Sequence, residues 1–182
     1  MAQLILYACP TGPLAEQIET YFKYARQQCG DNAAHAYMPH CTLTGFFEDE
    51  ESALPTYIKA MEKVIATHQP HISKNQRSKP SVLIQSLSFR PDWHGLVLQA
   101  DWLKHRVRNF AEQANSPTRT EAIRVKDWLH LSLAYGFRAE HATQLEKLAV
   151  ETVNISAPVE WEARFYRRHD DNTWTCYSTI LL

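Results

Sequence analysis

Apolar and polar positions alternate along this chain in short blocks, and each block predicts an element. Leu4 to Ala8 is an unbroken apolar run closed by Cys9-Pro10, the pattern of a strand buried on both faces. Pro13 suits the first turn of a helix reaching about Gln28, with Leu14, Ile18, Tyr21, Phe22 and Ala25 on one stripe and Gly30 as terminator. Tyr37 to Phe47 alternates and ends at the acidic cluster Glu48–Glu51. A second helix is predicted from about Ser52 to Thr67, carried by Tyr57, Ala60, Met61, Val64 and Ile65. Residues 68–80 are polar and basic and read as a loop, and Val82 to Phe89 is strand-like.

The second half runs the same course. Leu96–Leu98 is a strand, and a helix follows from Asp101, a good N-cap, to Gln113. Asn115-Ser116-Pro117 ends it, and a basic stretch with Arg119, Arg124 and Lys126 leads into the apolar run Trp128–Phe137. Ala139–Val150 reads as a helix, and Val159–Arg167 and Trp174–Leu182 as two strands around a turn at Asp170-Asp171-Asn172. Both halves thus run strand, helix, His-bearing strand, helix, strand. Leu4–Ala8 answers Leu96–Ala100, and His40 answers His130. A repeated unit of this kind predicts an α+β fold. It is a bilobal, duplicated fold with two pseudo-symmetric lobes, antiparallel-rich sheets facing a central cleft, and helices outside. Residues 1–182 form one bilobal domain with halves of about 1–90 and 91–182, and terminal strands can exchange between the halves.

Composition narrows the class without changing that picture. The chain has 182 residues, 45% apolar and 21% charged, with 5 glycines and 9 prolines. These values exclude disorder and low-complexity linkers. A net charge of −1 provides no overall polycation for a long duplex. The apolar run at the start falls far short of a membrane helix, and Met1–Gln3 carries no basic side chain, so a cytoplasmic protein is expected. The four cysteines (Cys9, Cys29, Cys41, Cys176) form no C-x-x-C pair. Cys41 and Cys176, in apolar strand-like segments, are expected to be buried thiols.

The chemistry lies in His40-Cys-Thr42-Leu43 and His130-Leu-Ser132-Leu133. On a strand, residues two apart face the same way. His40, Thr42 and Thr44 then share one face, as do His130 and Ser132, while Cys41, Leu43, Leu131 and Leu133 turn toward a core. The bare His-x-Ser/Thr pattern is common; His71-Ile-Ser73 and His141-Ala-Thr143 also fit it, but one lies in the basic loop and the other in a helical pattern. Only the pairs at 40 and 130 join an apolar fourth residue, a strand-like setting and equivalent places in the repeat. A lone strand histidine is more often structural than catalytic, and two matched ones reverse that weighting. A metal fits poorly, because no carboxylate or cysteine adjoins either motif at ligand spacing and hydroxyls are poor zinc ligands. Two imidazoles that titrate near neutrality can take a proton from water and give one to a departing oxygen. Two hydroxyls can hold the non-bridging oxygens of a phosphoryl group. That set suffices to hydrolyse a strained cyclic phosphodiester.

These motifs, with Pro39 before the first and Tyr135 after the second, resemble the two-histidine phosphoesterase superfamily, and within it the cyclic nucleotide phosphodiesterase branch. Leu129 stands where that branch often has a second proline. The resemblance implies acid/base roles for His40 and His130 and phosphate binding by Thr42 and Ser132. It also implies metal-independent opening of a 2′,3′-cyclic nucleotide or ADP-ribose 1″,2″-cyclic phosphate to a monoester, with no cofactor. The partner expected is that small molecule, with RNA ends second, no membrane, and a monomeric chain. The alternatives are a 2′,3′-cyclic RNA-end phosphodiesterase or 2′–5′ RNA ligase, and a non-catalytic nucleotide- or RNA-binding module.

Further candidates rest on weaker signals. Strict alternation turns Tyr135 away from His130, so a ligand role for it requires a bulge. Phe47 and Trp174, with Tyr177 near the latter, are candidates for stacking on a base. Lys74, Arg77 and Lys79, and Arg119, Arg124 and Lys126, could close over phosphates. Glu48–Glu51 is expected to favour the N-terminus of the helix that follows it.

Overall fold

The structure, a computed structural model, describes residues 1–66 and 81–182. The predicted basic loop, with Lys74, Arg77 and Lys79, and the His71-Ile-Ser73 pair lie outside these residues. Among the described residues the strands are β1 (Ala2–Thr11), β2 (Cys41–Thr42), β3 (Phe47–Asp49), β4 (Leu83–Arg90), β5 (Trp93–Gln99), β6 (His130–Tyr135), β7 (Glu160–Arg168) and β8 (Trp174–Leu181). The α-helices are α1 (Pro13–Cys29), α2 (Leu54–Met61), α3 (Asp101–Gln113) and α4 (Ala142–Thr152).

All strand pairings are antiparallel, and the order is β4-β5-β6-β2-β1-β7-β8, with β3 beside β1. The α+β class with an antiparallel sheet and outer helices is therefore as predicted. The strands run as one continuous sheet, joined through β2, where a sheet in each lobe was expected. β2 is short for a local reason. Pro39 has no N–H to donate, and the amides of Leu43 and Thr44 both donate to the Leu6 carbonyl, at 3.0 and 3.3 Å, which breaks the ladder. β4 pairs with β5 and β7 with β1, so a late strand of each half lies beside the other half's first strand.

One face of the sheet is covered by helices. Leu4, Leu6 and Ala8 of β1, Leu96 and Leu98 of β5, Leu131 and Leu133 of β6 and Phe165 of β7 share a core with Leu14, Ile18 and Tyr21 of α1 and Leu103, Val107 and Phe110 of α3. The other face carries a small cluster of Ile5, Tyr7, Cys9 and Tyr166, packed against Met38, Phe46 and Trp174. β1 is thus buried on both sides, which is why its sequence shows no alternation. α1 ends at Gly30, whose φ of 79° suits glycine. The helix predicted over Ser52–Thr67 is a short 3-10 turn, α2, and a π turn over Glu62–Ala66. Asp101 is the first helical residue of α3 rather than its cap, and pairs with Lys104.

Three residues depart from what was expected of them. Cys176 is exposed, because β8 is an edge strand, whereas Cys41 is buried. In the acidic cluster, Glu51 stands in the first turn of the 3-10 turn that leads into α2, as expected of the cluster, but Asp49 has another role. Asp49 is fully buried and accepts hydrogen bonds from Tyr57 Oη, Thr118 Oγ1 and the Glu50 amide. Arg119 completes this network, donating to Tyr57 Oη and the Ala114 carbonyl, so it braces the fold and does not face a phosphate. Burial pushes the Asp49 carboxyl up, but hydrogen bonds led by those from Thr118 and Tyr57 outweigh it and hold the group at about 2. Asp49→Ala strands two hydroxyls and should lower stability by about 3 kcal/mol, read as the urea midpoint. Because the folded pKa is depressed, the gap between wild type and variant should be complete above the unfolded value of about 3.9 and close as pH falls through about 2.

Candidate active site

The sheet register brings the two histidine motifs together. Tyr7 pairs with Thr42, Cys41 with Leu131, and Val97 with His130. Continuing the antiparallel register sets Thr42 across from His130 and His40 across from Ser132. The two histidines are then diagonal neighbours on one face, about 7 Å apart at Cβ. Cys41, Leu131 and Leu133 go to the helix side, where they are buried. His40, Thr42, His130 and Ser132 all line one cavity of about 550 Å³, together with Met38, Arg90, Asp92, Trp93, Trp128 and Tyr135.

Both rings are held in the same way. His40 Nδ1 meets the Met38 carbonyl at 2.8 Å, and His130 Nδ1 meets the Trp128 carbonyl at 3.3 Å, in each case two residues back. A carbonyl can only accept, so Nδ1 carries the proton and Nε2 of the neutral ring is the free basic nitrogen. Each ring also rests on an aromatic. Tyr7 lies 4.0 Å from the His40 ring centre, and Trp128 is stacked on His130 at 3.9 Å and 22°. Ser132 Oγ accepts the Trp93 indole N–H at 2.9 Å, which leaves the hydroxyl's own proton to donate elsewhere.

Burial dominates the electrostatics. It pushes the His40 imidazole down to about 4, against the Met38 carbonyl, and the positive charge of His130 lowers it further. Burial also lowers His130, with Lys126 and Arg90 acting in the same direction and the Trp128 carbonyl against them. Both rings are therefore neutral at pH 7 when no anion is bound, and a phosphate between them would raise both. Among the described residues no group of three or more His, Cys, Asp or Glu side chains could hold a metal ion.

The weaker candidates divide. Tyr135 reaches the cavity through a bulge: Ser132 pairs with Gly95 and Ala134 with His94, so Leu133 is an extra residue in β6. Leu133 and Ala134 are both buried, and the alternation resets so that Tyr135 faces the site. Phe47 is corrected. It is buried against Tyr57 and Phe165 in the core, because β3 turns it to the helix side. Phe46 takes the site face instead, stacked on Trp174 at 6.1 Å and 29°. Trp174 stands behind His40, touching Tyr7 and Tyr37. Tyr177, three residues along β8 from Trp174, turns to the opposite face and packs on the core. Thr44 also leaves the site face: it is fully buried, and its hydroxyl accepts the Leu6 amide at 3.0 Å.

Sequence reasoning missed Trp93, Trp128, Arg90, Met38, Tyr7 and Tyr37. Met38 and Trp128 each precede a histidine by two residues, a shared spacing visible in the sequence. Trp93 and Arg90 carry no such signal, because they reach the site only through the pairing of β4, β5 and β6. The Arg90 guanidinium lies 4.8 Å from the Trp128 ring centre and 5.6 Å from that of Trp93, which crowns His130 with a cation on two indoles.

Among the described residues no helix is long and apolar enough to cross a membrane. No family model matches the chain. Its similarity lies with parts of longer proteins. It is 32% identical over 169 residues to ubiquitin-associated and SH3 domain-containing protein B of Homo sapiens, an alignment covering 91% of this chain and 25% of that protein. It is 26% identical over 201 aligned positions to ecdysteroid-phosphate phosphatase of Drosophila melanogaster, covering 91% of this chain and 26% of that protein. The corresponding protein of Bombyx mori is 28% identical over 173 residues, covering 91% and 24%. The chain spans about a quarter of the length of the curated relatives it matches, so their names describe molecules about four times larger, and what it shares with them is one module of homologous sequence.

Proposed function

We propose that this chain is a two-histidine phosphoesterase that hydrolyses a small cyclic phosphodiester, a 2′,3′-cyclic nucleotide or ADP-ribose 1″,2″-cyclic phosphate, to a monoester without a metal. The observation that carries this reading is the matched fastening of His40 and His130. Each Nδ1 is fixed on the carbonyl two residues back, and both rings share one cavity with Thr42 and Ser132. A structural histidine needs no free Nε2 beside a hydroxyl, and two in the same arrangement suit paired proton transfer. Two relatives are named phosphatases, which favours hydrolysis at phosphorus.

The deeper, lower-pKa ring, His40, is the base, and His130 at the rim is the acid. His40 Nε2 takes a proton from water as its oxygen attacks phosphorus, and the ester P–O bond opposite breaks. Protonated His130 gives its Nε2 proton to the departing ribose oxygen. Thr42 and Ser132 hydroxyls donate to the non-bridging oxygens, where charge gathers in the transition state. Exchange with solvent returns both rings to their starting states.

Its test is an assay in EDTA of 2′,3′-cyclic mononucleotides, ADP-ribose 1″,2″-cyclic phosphate, a short cyclic-ended RNA and a steroid phosphate monoester side by side, with the products' regiochemistry. Turnover of a cyclic phosphate is expected; hydrolysis of the monoester alone would replace this reading with a phosphatase. The base must be neutral, so kcat/KM should rise as pH rises through about 4. The acid must be charged, so kcat/KM should fall through the His130 pKa, which lies below the ordinary value of about 6.5. The bell in kcat/KM is thus centred in mildly acid solution, and the bell in kcat lies at higher pH because the bound anion raises both groups. A kcat/KM optimum above pH 8 would contradict this assignment.

A further inference from the structure

A second chamber opens on the other side of the histidine pair. It holds about 320 Å³ and shares His40, Thr42, His130 and Tyr135 with the first cavity, so the two meet at the reacting centre. Its remaining walls are of a different chemistry. Tyr37 and Phe46 supply aromatic surface, and Arg124 and Lys126 supply two cations.

The two cations are placed by the backbone. Residues 124–126 are strapped antiparallel to 43–45 by an isolated bridge between Thr44 and Val125. The Gly45 amide donates to the Arg124 carbonyl at 2.7 Å, and the Lys126 amide donates to the Leu43 carbonyl at 2.9 Å. Alternation along this strap turns Val125 onto the core and both cations to the opposite side, where they line the chamber. The Arg124 side chain lies directly over Gly45, in space that a Cβ there would narrow. Among the described residues no acidic side chain pairs with either cation, whereas the next residue, Asp127, is engaged by Arg108. Lys126 is near enough to His130 for its charge to act on that ring.

We propose that Arg124 and Lys126 form a second anion subsite, which takes a further phosphate of the same substrate while the scissile phosphorus sits between the histidines. This rests on the proposed two-histidine phosphoesterase reading and names the substrate more narrowly: a nucleotide that carries a further phosphate or pyrophosphate beside the cyclic one, rather than a cyclic mononucleotide. The second group can be a terminal phosphate, a pyrophosphate, or the next phosphodiester of an oligonucleotide. All three offer the same anionic oxygens to a guanidinium fork and an ammonium. Tyr37 and Phe46 then flank the sugar or base between the two phosphates.

The test compares a nucleoside 2′,3′-cyclic phosphate with its 5′-phosphorylated form, with ADP-ribose 1″,2″-cyclic phosphate, and with a cyclic-ended dinucleotide. Each is assayed on wild type, Arg124→Gln, Lys126→Gln and the double variant. The preference of wild type for whichever two-phosphate substrate it favours, taken as a ratio of kcat/KM values to the mononucleotide, should fall by at least ~10-fold in the double variant, mostly through KM. Any effect of Lys126 on His130 acts on both substrates and divides out of the ratio. Calorimetric binding of a nucleoside 3′,5′-bisphosphate supplies a readout that needs no turnover, and the double variant should bind it at least ~10-fold more weakly. Loss of bisphosphate binding in a protein that turns over no cyclic phosphate would keep the subsite and remove the phosphoesterase reading. An unchanged ratio together with unchanged bisphosphate binding would overturn the subsite, and which two-phosphate substrate is favoured identifies the source of the second group.

Discussion

His40→Ala and His130→Ala should each lower turnover of the proposed cyclic substrate by at least ~100-fold, while substrate still binds. The expectation follows from how the rings are held. Each is pinned at Nδ1 by a backbone carbonyl, at 2.8 Å for His40 and 3.3 Å for His130, so each presents one nitrogen of defined protonation. Removing either leaves a proton with no carrier at one end of an in-line displacement, and bulk water is a poor substitute for a positioned imidazole. The fold should survive both changes, because neither ring lies in the helix-side core. Single-turnover rates and far-UV circular dichroism on both variants check this. Rates within a few-fold of wild type in either would remove that ring from the chemistry.

Gly95→Ala is expected to disturb the fold and the site together. Gly95 sits opposite the bulge in β6, and a Cβ there would press into the Leu131 carbonyl and the indole of Trp93, well inside van der Waals contact. The glycine is required by space rather than by its dihedral angles: it lets Trp93 fold across the strand and donate to Ser132. The backbone carbonyl cannot move without breaking the β5–β6 ladder, so the cost is about 3 kcal/mol. For a chain of this length that lowers the melting temperature by about 6–12 °C. Displacing Trp93 also frees Ser132 and uncovers His130, since Trp93 lies edge-on to that ring at 5.4 Å. Activity should therefore fall along with the melting temperature. A variant melting within about 1 °C of wild type would show that β5 and β6 do not approach as described.

How legible the molecule was depends on which interactions decide each feature. Helix α1 and strand β1 were readable because local pattern and burial agree: a clean stripe with Pro13 and Gly30 at its ends, and an apolar run on a strand buried twice. The histidine pairs were readable because His40/Thr42 and His130/Ser132 follow simple alternation. Alternation failed wherever the ladder slips. The doubled hydrogen bond to Leu6 turned Thr44 inward, and the Leu133 bulge turned Tyr135 outward. Phe46 and Phe47 lie where alternation from His40 puts them, Phe46 on the site face and Phe47 in the core, so that pattern alone argued against Phe47 as a stacking residue. Sequence carries the period of a strand but not where a bulge resets it. Trp93 and Arg90 were illegible for another reason, since they reach His130 across pairings between residues far apart in the chain. Asp49 shows the same limit. It reads as one more charge in an acidic run, and it becomes a buried anchor only through Tyr57 and the sequence-distant Thr118.

The central claim is that two imidazoles, one neutral and one charged, divide a proton-transfer task at one phosphorus. The pH dependence of kcat/KM in EDTA, measured for wild type, His40→Ala and His130→Ala on the same cyclic phosphate, tests it most directly. Wild type should give a bell. His40→Ala should lose the acid limb that rises through about 4, and His130→Ala should lose the alkaline limb. Two variants that both keep the full bell would contradict the account, because the titrating groups would then lie elsewhere.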